Sequence, residues 1–103
     1  MQDKDKKIQE IQILEQNLQN ILLQKQAFQM EISETKAAKK EIEMAGEDVF
    51  KIIGQLMIKS DKSKIKEELS NKEKLLDLRI TSFEKQETAL VEKIDSLRKE
   101  ILG

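Results

Sequence analysis

Apolar residues recur in alternating three- and four-residue steps over two long stretches of the chain, with a short β-branched segment between them. In the first stretch the a positions of a heptad are Ile11, Leu18, Lys25, Ile32 and Lys39, and the d positions are Leu14, Ile21, Phe28, Thr35 and Ile42. Such spacing keeps one narrow stripe facing a partner helix and predicts a coiled-coil helix from about Asp5 to Ala45. Gly46 then falls where a C-terminal helix glycine belongs. The second helix is expected over about 61–102, with Ser60, Asp61 or Ser63 as N-cap and Glu67 and Glu68 near the electropositive end. Its d positions are Leu69, Leu76, Phe83, Leu90 and Leu97, and its a positions are Lys66, Glu73, Ile80, Glu87, Ile94 and Ile101.

The two stripes mirror each other about a point near Gly54 and Gln55. Folding the chain there sets Leu14 against Leu97, Ile21 against Leu90, Phe28 against Phe83, Thr35 against Leu76 and Ile42 against Leu69. The same fold sets Lys25 opposite Glu87 and Lys39 opposite Glu73. Antiparallel coils commonly mix a with d layers, which leaves the half-heptad register open. Lys facing Glu at inward positions would specify that register at modest net energy. The alternative is that each long side chain reaches solvent independently.

Between the helices, residues 48–60 read as a β-hairpin, with Gly54-Gln55 as the loop of a type II′ turn. This pairs Ile53 with Leu56, Ile52 with Met57 and Lys51 with Ile58. One face then carries Val49, Ile53, Leu56 and Ile58, interrupted by Lys51; the other carries Phe50, Ile52, Met57 and Lys59. An isolated hairpin is marginal in water and has two open edges. Apolar residues on both faces therefore imply a sheet or barrel shared between several copies. The alternative, a hairpin folded onto its own coil, hides one face only.

Composition fits this mainly α architecture, a long antiparallel two-helix coiled coil whose central β-hairpin joins an oligomeric sheet or β-barrel. Charged residues make up 38% of the 103 residues and aromatics 3%, proline is absent and glycine occurs three times. One globular core would need more bulk, whereas long helices need few breakers. The 19 basic and 20 acidic residues are interspersed, giving a net charge of −1. Nucleic-acid binding, which needs a clustered basic surface, is disfavoured. No apolar run approaches the ~20 residues of a membrane span, and the first residues lack a signal-peptide layout. A cytoplasmic chain is the simplest expectation. With no His, no Cys and no glycine-rich phosphate loop, we expect no enzyme, no catalytic residue, no metal and no cofactor.

The pattern resembles the prefoldin β subunit. The similarity covers nearly the whole chain. It is carried by Gln24-Lys25-Gln26, by Asp48-Val49-Phe50-Lys51 leading into the hairpin, by Gly54 with Leu56-Met57-Ile58-Lys59, and by Arg79 through Gln86-Glu87. One hairpin resembles the β class, since α-class subunits carry two; Phe50 stands where Tyr is common. The resemblance implies a single prefoldin-like domain over 1–103 and a hexamer of two α-class and four β subunits. In it the hairpins, through Val49, Phe50, Ile52, Ile53, Leu56, Met57 and Ile58, would build a double β-barrel. It also implies a molecular chaperone that holds unfolded polypeptides at the coiled-coil tips and passes them to a group II chaperonin without nucleotide.

The distal helix ends suit that role. Ile11, Leu14, Leu97 and Ile101 belong to the seam and zip the coil, but Ile8, Ile13 and Leu102 lie off it. Two helices cannot bury all of these, so Ile8, Ile13 and Leu102 are candidate client contacts, with closure of the coil as their alternative role. The competing overall function is a structural coiled-coil tether or scaffold. It would leave the two-faced apolar hairpin unexplained.

Overall fold

The computed structural model describes residues 2–103. Helix α1 spans Gln2–Met44, strand β1 Val49–Ile53, strand β2 Leu56–Ser60 and helix α2 Lys62–Leu102. The helices run 43 and 41 residues without interruption, as expected for Glu-, Lys-, Gln- and Leu-rich sequence without proline. α1 begins before Asp5, because Asp3 and Asp5 in its first turn complement the helix dipole. The chain forms two compact units. One joins the start of α1, through Phe28, to Arg79–Gly103, and the other comprises Gln29–Leu78.

In the first unit the helices pair antiparallel through the expected stripe. Ile11, Ile94 and Leu97 form its buried centre, with Leu14, Leu18 and Ile101 packed against them. Phe28 meets Phe83 with ring centroids 5.5 Å apart and planes inclined at 38°, a tilted arrangement that aromatic quadrupoles favour. The Arg79 guanidinium lies 5.9 Å from the Phe28 centroid, within range of a cation–π contact. Lys25 Nζ donates to Glu87 Oε2 at 2.8 Å. This ion pair and hydrogen bond hold the Lys25 pKa above the ordinary lysine value.

In the second unit Ile32, Thr35, Leu76 and Val49 are buried. The Thr35 hydroxyl is tolerated there because it donates to the Glu31 carbonyl at 2.9 Å. Lys39 Nζ donates to Glu73 Oε2 at 2.9 Å, which holds the Glu73 carboxyl below the usual carboxylate range. Lys25 and Glu87, and Lys39 and Glu73, thus meet in pairs, as the mirrored stripes require.

Two local expectations change. Lys66, assigned to the seam, is exposed, and Ile65 turns inward instead. Asp61 is the N-cap, accepting a hydrogen bond from Ser63 N at 3.0 Å while Ile65 N donates to its carbonyl at 3.0 Å. Ile65, four residues before Leu69, lines the groove between hairpin and helices with Ile42, Ala45 and Val49, and this apolar cover takes it rather than Lys66. Gly46 does not adopt the left-handed conformation of a C-terminal glycine cap; Gly54 has the only positive φ among the described residues. The end of α1 is closed by Ala45 N donating to Glu41 O at 3.0 Å and by Lys62 Nζ donating to Ala45 O at 2.7 Å. An ammonium at a helix C-terminus also offsets its partial negative charge.

Three outcomes follow from this packing. Ile65→Ala should cost about 1–2 kcal/mol, because a half-buried side chain is truncated, while Lys66→Ala should leave the urea midpoint unchanged. Equal effects would return Lys66 to the seam. Lys25→Glu should lower the thermal midpoint by placing two acids together, and adding Glu87→Lys should recover part of the loss. Strict additivity would mean that the two side chains act independently. Glu73 has a pKa depressed on folding, so its contribution is present above its unfolded pKa and lost as pH falls through the folded value. Lys39→Met should therefore flatten the fall in stability below the ordinary carboxylate range, as read by urea unfolding across an acid pH series.

Candidate functional site

Two surfaces carry the exposed apolar side chains expected from the sequence. The first is the hairpin. Its strands pair antiparallel in the expected register, Val49 with Ser60, Phe50 with Lys59, Lys51 with Ile58, Ile52 with Met57 and Ile53 with Leu56. Gly54 has φ +61° and Gln55 does not have a positive φ. A type I′ turn needs positive φ at both central residues, so the loop is type II′. β-branched residues favour extended backbone over helix, and this explains why the helical pattern breaks here.

Paired residues share a face, so Val49, Lys51, Ile53, Leu56 and Ile58 lie on one side of the ladder and Phe50, Ile52, Met57 and Lys59 on the other. Ile52 is 70% exposed and Met57 68%, and Phe50, Ile53, Leu56 and Ile58 are exposed as well. Val49 differs. At 6% exposure it is buried within its own chain, so it anchors the hairpin to the helices and is not on an open face. Its position at the first strand residue, directly after the α1–β1 connection, brings it against the helical part of the unit. Lys51 Nζ reaches Glu68 Oε2 at 3.0 Å and Lys59 reaches Asp48 at 3.5 Å. An open groove of ≈ 600 Å³ lies between hairpin and helices, with Ile42, Ala45, Ile65 and Leu69 among its walls.

The second surface is the helix ends of the first unit. Ile8 is 41% exposed, Ile13 61% and Leu102 87%. The neighbouring seam residues Ile11, Ile94 and Leu97 are buried, so the off-seam residues remain outside because the two-helix interface is already filled. Ion pairs Lys7–Glu100 at 3.4 Å and Lys93–Glu10 at 3.6 Å, together with Arg98–Glu15, brace the same end.

Further apolar residues are exposed along the helices, Leu22, Leu23, Met30 and Met44 on α1 and Leu75, Leu78 and Val91 on α2. Each lies outside the a and d positions, so the heptad assignment itself held the signal. Among the described residues there is no group of acidic, His or Cys side chains able to hold a metal ion, and no helix is long and apolar enough to cross a membrane.

Comparison with known proteins gives the same picture. A family model described as "Prefoldin subunit" matches residues 5–102. Prefoldin subunit beta of Thermococcus onnurineus is 40% identical over 89 residues, covering 84% of this chain and 77% of the relative. The protein of the same name from Thermococcus kodakarensis is 37% identical over 94 residues, covering 89% and 80%. The crystal structure of the prefoldin beta subunit from Thermococcus strain KS-1 superposes with a TM-score of 0.90 at 35% identity, covering 96% of this chain and 89% of that one. With a single antiparallel hairpin between two long helices, and a family match over nearly its whole length, the chain belongs to the prefoldin subunit family, and the relatives it matches are β subunits.

Proposed function

We propose that the chain is a non-enzymatic chaperone subunit that assembles through its hairpin and holds unfolded polypeptides at the ends of its coiled coil. The observation that carries this is the hairpin, whose two faces both expose apolar side chains, Ile53, Leu56 and Ile58 on one and Phe50, Ile52 and Met57 on the other. A face of this kind is stable in water only when covered. Strands with open edges cover one another by continuing the sheet. The partners are an α-class prefoldin subunit and further β copies, in a hexamer of two α and four β chains located in the cytoplasm. The client is handed to a group II chaperonin, and no step uses nucleotide. Exposed Ile8, Ile13 and Leu102 at the far ends of the helices supply apolar contact to the client.

Assembly should depend on the hairpin. Ile53→Asp with Leu56→Lys would place charge on a covered face, where an unpaired charge costs several kcal/mol. Mixed with an α-class subunit, this variant should keep its helicity by circular dichroism and lose the hexamer peak in sedimentation velocity. An intact hexamer would end the barrel model.

Client holding should depend on the helix ends. Changing Ile8, Ile13 and Leu102 to Ser removes about 1–2 kcal/mol of apolar contact per residue, multiplied through avidity when several copies act together. The complex should form normally and suppress aggregation of a denatured protein markedly less well. A control with Gln19 and Glu92 changed to Ser should protect like the parent. Equal protection by tip and control variants would move the binding surface elsewhere, and a parent complex that never suppresses aggregation would favour a tether.

A further inference from the structure

Residues 16–30 of α1 contain a single charged side chain, Lys25, in a protein in which 38% of residues are charged. Lys25 faces Glu87 and is paired with it, so the remaining surface of this stretch carries no charge. It is crowded with side-chain amides instead. Asn17, Asn20 and Gln24 line an open groove of ≈ 510 Å³ in the first unit together with Gln86 of α2, over an apolar floor that includes Ile21 and Leu90, and none of its lining residues is charged. The amides of Asn17, Asn20 and Gln24 make no hydrogen bond to other protein groups among the described residues, and Gln86 Nε2 donates only to Ser82 Oγ at 3.4 Å.

We infer that this amide-lined groove binds the backbone of an extended, unfolded client segment. Each side-chain amide offers one C=O acceptor and an NH₂ donor, the same complement as the peptide groups of an extended chain. Asn17, Asn20 and Gln24 succeed one another at three- and four-residue steps and so share one helix face. From Asn17 to Gln24 the face runs about 10 Å, the length of roughly three extended residues. Ile21 and Leu90 below them can accept whichever side chains point inward.

Charge identifies this occupant over a folded partner. Where this chain fixes contacts between its own helices, it uses ion pairs, Lys25–Glu87, Lys93–Glu10 and Arg98–Glu15 in this unit. Charged pairs set register and reject wrong partners. A neutral groove can do neither, and it repels no client of either sign. This is the chemistry of a surface that must accept many sequences. The inference rests on the client-holding function and adds a second, backbone-directed contact to the apolar one at the helix ends.

The test uses the full chain and an uncharged probe, a peptide of about twelve Ser, Thr, Asn and Val residues with acetylated and amidated ends, alongside its backbone N-methylated twin. Asn20→Leu with Gln24→Met removes two amides while keeping the side-chain shapes, raises helix propensity at position 20 and leaves it unchanged at 24, so loss of fold does not confuse the result. By titration calorimetry the double variant should bind the peptide roughly five- to ten-fold more weakly, as expected for two lost hydrogen bonds. The N-methylated peptide should bind the parent correspondingly weakly. The Ser variant at Ile8, Ile13 and Leu102 should keep the discrimination between the two peptides. Unchanged binding by the double variant, or equal binding of both peptides, overturns the groove assignment while leaving the tip contacts standing. Loss by the double variant of an association that the parent shows in sedimentation also overturns it, by making the groove a subunit contact. Absence of peptide binding overturns it too, and if aggregation suppression is also absent, the client-holding function falls with it.

Discussion

Both units are held by an interface only one seam wide, and the other features follow from that narrowness. Two helices offer each other a single stripe of a and d side chains, so no residue can be surrounded on every side. Among the described residues no side chain is fully enclosed, and even Ile94, the most buried apolar one, retains 4% of its exposure. A core this thin has no capacity to cover anything beyond itself. It leaves the hairpin faces open and the off-seam residues Ile8, Ile13 and Leu102 outside.

The same thinness makes charged seam positions workable. A lysine and a glutamate enclosed in a deep core would lose hydration that their mutual attraction repays only with excellent geometry. Here Lys25, Glu87, Lys39 and Glu73 keep a fifth to a third of their side-chain exposure while forming direct hydrogen bonds, so little hydration is surrendered. The gain is specificity, since sliding one helix past the other would separate both pairs and leave acids or ammonium groups against apolar neighbours. Ion pairs specify the intramolecular contacts, and the uncharged surface of residues 16–30 specifies none.

The hairpin is tied to its unit by little. Val49 buries its side chain, Lys51 pairs with Glu68, and the remaining apolar residues point outward on both faces. Such a hairpin contributes little to the stability of the isolated chain and much surface for association. Stability and assembly are therefore assigned to different parts of the chain. Substitutions at Leu76 or Ile94 act on the first, and substitutions at Ile53 or Leu56 act on the second.

Element types, strand register, the Gly54 turn, the Phe28–Phe83 contact and both Lys–Glu pairs were legible in the residue order. Each follows from local periodicity or from mirror placement about one turn, and both are properties of sequence spacing alone. The exposure of Ile8, Ile13 and Leu102 was legible for the same reason, because a full seam excludes whatever lies off it. Packing decided the rest. Whether Ile65 or Lys66 faced inward depended on the apolar groove that Ile42, Ala45 and Val49 form beside the start of α2, and closure of α1 depended on Lys62 reaching back to Ala45. Val49 turned inward because the chain path out of α1 brings the first strand residue against the helices. The grouping of Asn17, Asn20 and Gln24 with Gln86 required two distant segments to be placed side by side. A one-dimensional pattern records the face of an element on which a residue lies; what that face meets depends on contacts between residues far apart in the chain, and those exist only in the folded molecule.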